Sequence, residues 1–149
     1  LGVEDLRPGA LEVRDSLTVH VLPFVRQEDY DRLLWCCDFN AVRGEDSFVR
    51  AQWAGRPFLW HIYEQDDDAH WVKLDAFLDL YLQGLSPAAA QALRDVWRAW
   101  NAGQDMGQSW SDVLQHWSEV TLHAEYWCQE QASQVDLAAA LVQFYRNWI

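Results

Sequence analysis

The sequence is short of positive charge and cysteine, and it contains no long hydrophobic run. Its 149 residues include 11 Lys and Arg against 23 Asp and Glu, which gives a formal net charge of −12. Because nucleic acids and anionic membrane surfaces are bound mainly through Lys and Arg, this charge disfavours both as partners. No apolar run approaches the roughly 18 residues of a membrane-spanning helix, and residues 1–15 lack the basic and apolar regions of a signal peptide. These absences predict a cytoplasmic protein.

Cysteine and histidine give no sign of a disulfide framework or a metal centre. The three cysteines, an odd number without a CxxC spacing, are predicted to be reduced and buried: Cys36, Cys37 and Cys128. The five histidines show no HExxH motif and no paired spacing with cysteine, so no metal site is predicted. Half of the residues are hydrophobic, which is enough for one folded domain with a core of useful size.

The first half of the chain alternates apolar runs with polar turns. Short β-branched and aromatic runs predict strands over 17–22, 39–42 and 57–63. Helical spacing of apolar residues predicts helices over 27–37 and 47–53 between these strands. Strands that alternate with helices through short connections are typical of a parallel α/β sheet. Residues 1–15 are predicted to form a loop, with a turn at Pro8-Gly9.

The second half of the chain is predicted to be helical throughout. Four helices with apolar stripes follow residue 67. Capping patterns are predicted to begin three of them: Ser86 before Pro87, Ser109 with Asp112, and Ser133 with Asp136. The predicted fold class is therefore α/β, with part of a Rossmann-like parallel sheet followed by a helical carboxyl-terminal section.

The loop after the second predicted strand holds groups suited to a phosphorylated ligand. In open parallel sheets, ligands bind where the carboxyl ends of strands meet helix N-termini. Gly44 allows a tight turn, and backbone N–H groups near Asp46 and Ser47 would face an anion. The Ser47 hydroxyl and the Arg43 guanidinium add donors, while Glu45 suits a sugar hydroxyl. The alternative is an ordinary turn, with Asp46 or Ser47 as N-cap and Arg43 in a surface ion pair.

The loop after the first predicted strand offers two aromatic rings and an amide. Phe24 and Tyr30 can stack on a flat base, and the Gln27 amide can donate to and accept from a pyrimidine edge. The alternative is simple packing of aromatic side chains between a strand and a helix.

One long and unusual string carries a family resemblance. The stretch RGEDSFVRAQWAGRPFLWHIY, within a match that runs from about residue 17 to the end of the chain, closely resembles the C-terminal part of the bacterial protein-arginine rhamnosyltransferases of elongation factor P. The resemblance implies an inverting glycosyltransferase of the GT-B arrangement, in which two Rossmann-type domains face each other across a cleft. It implies transfer of L-rhamnose from dTDP-β-L-rhamnose to an arginine of elongation factor P, without a metal or other cofactor.

The resemblance also implies roles for residues of both loops. Three residues correspond to the family's thymine pocket: Phe24, Gln27 and Tyr30. Three correspond to its diphosphate-binding loop: Arg43, Asp46 and Ser47. Glu45 corresponds to an acidic residue near the reacting sugar that is important for activity, and it is the expected catalytic residue.

The match covers a single domain of the family. Residues 1–149 are expected to be the C-terminal nucleotide-sugar-binding domain, incomplete at its start, without the N-terminal domain that carries the acceptor-binding surface. Alone, this segment is expected to show no turnover, and its last helix, over 133–149, is expected to expose an apolar face. Two other readings stay open: a transferase that prefers a uridine or guanosine donor, and a small acidic interaction module without enzymatic activity.

Overall fold

A computed structural model describes residues 7–148 of the chain. The chain divides into two compact units between Leu33 and Leu34. The first unit contains an antiparallel hairpin of two strands, β1 (Leu11–Arg14) and β2 (Leu17–His20), and most of helix α1 (Gln27–Cys36). The predicted helix over 27–37 is thus confirmed to within one residue.

The hairpin corrects the prediction of a buried parallel strand over 17–22. β2 pairs with β1 in antiparallel register, and its sheet is separate from the parallel one. Asp15, at φ +51°, turns the chain back between the two strands. The prediction was wrong because the apolar run of β2 lies largely on the surface, where Leu17 is 45% exposed. The turn at Pro8-Gly9 is confirmed, but the predicted loop over 1–15 is wrong at its end, where Leu11–Arg14 form β1. Residues 1–6 of that loop lie outside the described residues.

The second unit contains the parallel pair that the sequence predicts. Strands β3 (Asn40–Arg43) and β4 (Phe58–His61) run parallel, with Arg43 opposite His61 at their carboxyl ends. Helix α2 (Glu45–Trp53) connects them and begins two residues earlier than predicted. The α/β class is confirmed, and the parallel sheet has two strands within residues 7–148.

Within the part of the chain that the structure describes, five α-helices follow the sheet where the sequence predicts four. They are α3 (Ala69–Tyr81), α4 (Pro87–Asn101), α5 (Gly107–Gln115), α6 (Trp117–Ser133) and α7 (Leu137–Trp148). The predicted third helix is broken at His116. The sequence does not reveal the break, because the apolar stripe continues across it. The predicted cap of α4 is confirmed, since the Ala89 N–H donates to Ser86 Oγ at 3.3 Å.

The other two capping patterns are wrong or only partly right. Helix α5 begins at Gly107, so Ser109 and Asp112 lie inside it. Asp112 instead accepts a hydrogen bond from Gln108 Nε2 at 2.9 Å, and this bond competes with a capping role. Asp136 does cap α7, because its Oδ1 accepts the Ala139 N–H at 2.9 Å. Ser133 closes α6 by donating to the Glu130 carbonyl.

The core lies where β4 packs against helices α3 and α4. Aromatic rings pack against one another there, with the Phe58 and Trp97 centroids 5.3 Å apart and the Phe58 and Tyr81 centroids 5.4 Å apart, both edge to face. Each such pair contributes about 0.5–1.5 kcal/mol beyond the burial of its area. Burial raises the pKa of Tyr81. This cluster anchors the strand whose carboxyl end reaches the candidate site.

Helix α7 carries large apolar side chains on its surface, as expected. More than half of each of these side chains is exposed: Leu137, Leu141, Phe144, Tyr145 and Trp148.

The predicted burial of the cysteines is wrong, since Cys36 and Cys37 are exposed and Cys128 is half-buried. Between residues 7 and 148, no helix is long and apolar enough to span a membrane. In the same range, no group of three or more His, Cys, Asp or Glu side chains is arranged to hold a metal ion.

Candidate functional site

The loop between β3 and α2 exposes the start of a helix. Gly44 is the N-cap residue of α2, at φ +83° and ψ 167°, a conformation that is essentially restricted to glycine. The first hydrogen bond of the helix is donated by the Phe48 N–H to the Gly44 carbonyl at 3.1 Å. Backbone amides before Phe48 therefore lie ahead of the helical ladder, at the positive end of the helix dipole.

Tyr63, which follows the end of β4, holds this turn. A Cβ atom at Gly44 would lie 3.1 Å from the Tyr63 hydroxyl, so the bare glycine backbone is in close contact with the ring. The guanidinium of Arg43 lies over the same ring, with Cζ 5.0 Å from its centroid. The Gly44 N–H points to the carbonyl of His61 at 3.4 Å, which ties the turn to β4.

Sequence reasoning missed Tyr63 as a site residue. It lies two residues beyond the end of β4, at the same carboxyl end of the parallel sheet as Arg43. The available signal was its position at the end of the third predicted strand, because the carboxyl ends of neighbouring parallel strands lie side by side.

The predicted residues of this loop are accessible to solvent. Arg43, Glu45 and Asp46 are exposed, and Ser47 is half-buried. The Asp46 carboxylate accepts a hydrogen bond from Arg50 Nε at 2.8 Å, one turn further along α2. The alternative in which Asp46 or Ser47 is the N-cap is wrong, because Gly44 occupies that position. The structure thus brings all four predicted residues of this loop together at one exposed helix start.

The predicted residues of the other loop lie in the first unit. Phe24 is fully exposed, so it is not packed between a strand and a helix as the alternative requires. Gln27 is the first residue of α1, and Tyr30 follows one turn later on the same side of the helix. The Tyr30 N–H donates to the Arg26 carbonyl at 2.9 Å, which fixes the start of α1. The helix therefore aligns Gln27 with Tyr30, and Phe24 precedes them in a segment without regular structure.

The two loops differ in the chemistry that their groups can perform. Backbone amides, a serine hydroxyl and a guanidinium around the start of α2 can bind a negatively charged group such as a diphosphate. Glu45 adds a carboxylate at the first position of the helix. The aromatic rings and the amide of the first loop can bind a planar base.

Comparison with known proteins identifies relatives across almost the whole chain. The family described as Elongation-Factor P (EF-P) rhamnosyltransferase EarP matches residues 1–146. A protein-arginine rhamnosyltransferase of Pseudomonas putida is 63% identical over 147 residues, which cover 99% of this chain and 39% of that protein. A protein of the same name from Pseudomonas aeruginosa is 56% identical over 149 residues, which cover 100% of this chain and 40% of that protein.

A solved structure has the same fold over nearly the same range. It is described as "Structural basis for EarP-mediated arginine glycosylation of translation elongation factor EF-P", is 58% identical and gives a TM-score of 0.84. The match covers 97% of this chain and 45% of that chain. The chain therefore spans about two fifths of the length of the curated relatives that it matches. By the match across residues 1–146, this chain belongs to the EarP family of elongation-factor P rhamnosyltransferases.

Proposed function

We propose that this chain is the nucleotide-sugar-binding part of an arginine rhamnosyltransferase. It binds dTDP-β-L-rhamnose, and the assembled enzyme transfers the sugar with inversion to an arginine of elongation factor P in the cytoplasm. The observation that carries the proposal is the exposed start of α2 beside Arg43, within a chain that belongs to the EarP family. In this proposal the chain is the carboxyl-terminal Rossmann-like domain of a GT-B arrangement.

The start of α2 holds the diphosphate of the donor. The amides around Asp46 and Ser47 bind its oxygens, and Ser47 Oγ and the Arg43 guanidinium add two donors from side chains. Each charge-assisted bond of this kind contributes about 1.5–3 kcal/mol. The same donors stabilise the negative charge that develops on the leaving dTDP as the glycosidic bond breaks. No metal is required for this step, because the stabilisation is electrostatic and comes from the chain itself.

The first loop holds the thymine base. The Phe24 ring, which is fully exposed, and the Tyr30 ring provide faces for stacking. The Gln27 amide pairs with the polar edge of the base, since it offers both a donor and an acceptor.

Glu45 serves the reacting sugar rather than the nucleotide. Its carboxylate is exposed at the first position of α2, next to the residues that hold the diphosphate. A carboxylate there orients the sugar by accepting hydrogen bonds from its hydroxyls. It also stabilises the positive charge that develops at the anomeric carbon as the glycosidic bond breaks. We expect Glu45→Gln to lower the turnover rate of the assembled enzyme more than it weakens dTDP binding.

Turnover requires the part of the relatives that this chain does not span. The exposed apolar face of α7 supports packing against that part, as the last helices of GT-B enzymes often do. We therefore expect the chain alone to bind nucleotide without transferring sugar. Addition of the unmatched amino-terminal part of the Pseudomonas putida relative restores transfer, seen as the mass of one rhamnose added to elongation factor P.

A thermal-shift comparison with dTDP, UDP and GDP tests the proposal. We expect dTDP to raise the melting temperature of the chain most, because the base pocket selects thymine. A larger shift with UDP or GDP would favour a different nucleotide-sugar transferase. No shift with any of the three would contradict a donor site and favour a non-enzymatic interaction module.

A further inference from the structure

A side chain at the end of α4 joins the carboxyl end of β4 to the helical core. Asn101, the last residue of α4, accepts a hydrogen bond from the Ile62 N–H at 3.0 Å through Oδ1. Its Nδ2 donates to the carbonyls of Trp60 and Trp97, each at 2.9 Å. One partly buried amide therefore binds two backbone groups of the strand end and one of its own helix.

These bonds occupy the edge of β4 that faces away from β3. The carbonyl of His61 points toward β3, because it accepts the Gly44 N–H. Successive residues of a strand direct their backbone groups to opposite edges, so Trp60 and Ile62 face the other way. The Asn101 amide supplies one donor and one acceptor there, as the peptide of a neighbouring strand would.

The strand end that Asn101 holds leads directly to the candidate donor site. Ile62 is buried and immediately precedes Tyr63. The Tyr63 ring in turn contacts Gly44 and lies under the Arg43 guanidinium. Fixing the backbone at Ile62 therefore fixes the ring against which the anion-binding turn is built.

We propose that Asn101 is a positioning residue for the donor site. It acts through Ile62 and Tyr63 on Gly44 and Arg43, and it does not touch the nucleotide. This inference rests on the proposed function, in that the turn at Gly44 holds the diphosphate of the donor. Loss of the amide leaves the Ile62 N–H and the Trp60 carbonyl without their partner, which favours a displaced strand end. The displaced end no longer holds Tyr63 and Arg43 in the geometry that binds the anion.

The test compares Asn101→Ala with a matched asparagine at the other end of the sheet. Asn40 is also buried, and its Nδ2 donates to the Leu34 carbonyl at 3.1 Å, but it lies at the amino end of β3. Asn40→Ala thus removes a comparable bond from side chain to backbone at a distance from the candidate site. Asn101→Asp is the second variant, because it keeps the size of the side chain and the acceptor for Ile62.

Two readouts separate positioning from general stability. Amide hydrogen exchange of the chain without nucleotide reports on the backbone at Ile62 and Gly44, and calorimetry gives the Kd for dTDP. We expect Asn101→Ala to speed exchange at both amides and to weaken dTDP binding by about tenfold. Asn101→Asp has smaller effects in the same direction. Asn40→Ala lowers the melting temperature but changes neither the exchange at Gly44 nor the Kd.

The proposal is overturned if Asn101→Ala lowers the melting temperature while the exchange at Gly44 and the Kd stay at their wild-type values. Equal weakening of dTDP binding by Asn40→Ala would overturn it as well. If Asn101→Ala does not fold, the same comparison is decided by Asn101→Asp. Failure of the wild-type chain to bind dTDP contradicts the proposed function instead. The exchange measurements, made without nucleotide, then decide whether Asn101 holds the turn.

Discussion

The two candidate loops differ in how firmly the chain itself holds them. The turn at Gly44 joins the half-buried parallel strand β3 to helix α2, and it is held by the carbonyl of His61 and the ring of Tyr63. The segment 21–26 of the first unit has no regular structure, and the Phe24 ring within it is fully exposed. The groups proposed to bind phosphate are therefore positioned before any ligand arrives, whereas the ring proposed to stack on the base has no fixed partner among the described residues.

This difference predicts unequal contributions to nucleotide binding. Groups that are already in place lose little conformational freedom when they bind a ligand. An exposed aromatic side chain loses rotamer freedom on binding, which offsets part of its stacking energy. We expect the diphosphate to provide most of the affinity and the base to provide most of the selectivity.

Replacement of Arg43 has the largest expected effect on dTDP binding. An unchanged Kd would contradict the difference between the two loops. Arg43→Ala removes a charge-assisted donor from the preformed turn and weakens dTDP binding by about 1.5–3 kcal/mol. Calorimetry measures the change. Arg94→Ala is the control, because it removes the same charge from α4, where Arg94 pairs with Asp79 at 2.8 Å. Equal losses in the two variants would contradict the assignment of Arg43.

Replacement of Phe24 tests how much the proposed base pocket contributes to dTDP binding. Phe24→Ala removes one face of the proposed base pocket and weakens dTDP binding by about 1 kcal/mol. It leaves the melting temperature unchanged, because the fully exposed ring contributes no buried area. Phe144→Ala, at a 61% exposed phenylalanine of α7, is the matched control. A fall in melting temperature with an unchanged Kd would mean that Phe24 serves the fold and not the ligand.

A pair of glycine variants measures how much the contact with Tyr63 constrains the turn at Gly44. Gly44 and Gly84 both have positive φ, at +83° and +89°, but a Cβ meets Tyr63 at 3.1 Å in the first and nothing within 4 Å in the second. Gly44→Ala is therefore expected to destabilise the chain by about 1 kcal/mol more than Gly84→Ala. Urea denaturation measures both. Equal losses would show that the contact with Tyr63 does not constrain the turn.

The smallest expected effect is that of replacing Glu119, which is expected to change the stability of the second unit without changing dTDP binding. The Glu119 carboxylate accepts from the Ser86 N–H and from Ser86 Oγ, and these two bonds lower its pKa from the ordinary value of 4.5. The charged form is thus favoured in the folded state. Its contribution to stability is complete above pH 4.5 and is lost as the pH falls through the lower pKa of the folded state.

Glu119→Gln is therefore expected to lower the melting temperature at neutral pH, with a difference from wild type that shrinks below pH 4.5. Glu125→Gln, which removes one charge from the same helix, is the control. A difference that grows toward acid pH would contradict the sign of the effect. The Kd for dTDP is expected to stay unchanged in both variants.

The sequence predicts the local parts of the fold well. Helical periodicity locates α1 and α2, and short apolar runs locate β3 and β4, each to within about two residues, because each element is decided by neighbours along the chain. It fails for the hairpin, since the pairing of β2 with β1 depends on a segment of mixed polarity that shows no pattern of its own. It also fails at His116, where an apolar stripe continues across a break between two helices.

The candidate site shows the same limit. Arg43, Gly44 and Ser47 are close in sequence, so a loop motif reveals them together. Tyr63 and Asn101 act on that loop from positions much later in the sequence. Their contacts depend on the parallel register of β3 and β4 and on the packing of α4 against β4. No spacing in the sequence encodes that arrangement, and coordinates are needed to find it.

The most direct test of the central claim is a titration of the isotope-labelled chain with dTDP, followed through its backbone amide signals. We predict that the largest shifts occur at Glu45, Asp46 and Ser47, because their amides lie at the proposed diphosphate position. The same shifts are expected to be strongly reduced in Arg43→Ala at equal nucleotide concentration. Binding of dTDP that leaves these three signals unmoved would contradict a diphosphate site at the start of α2.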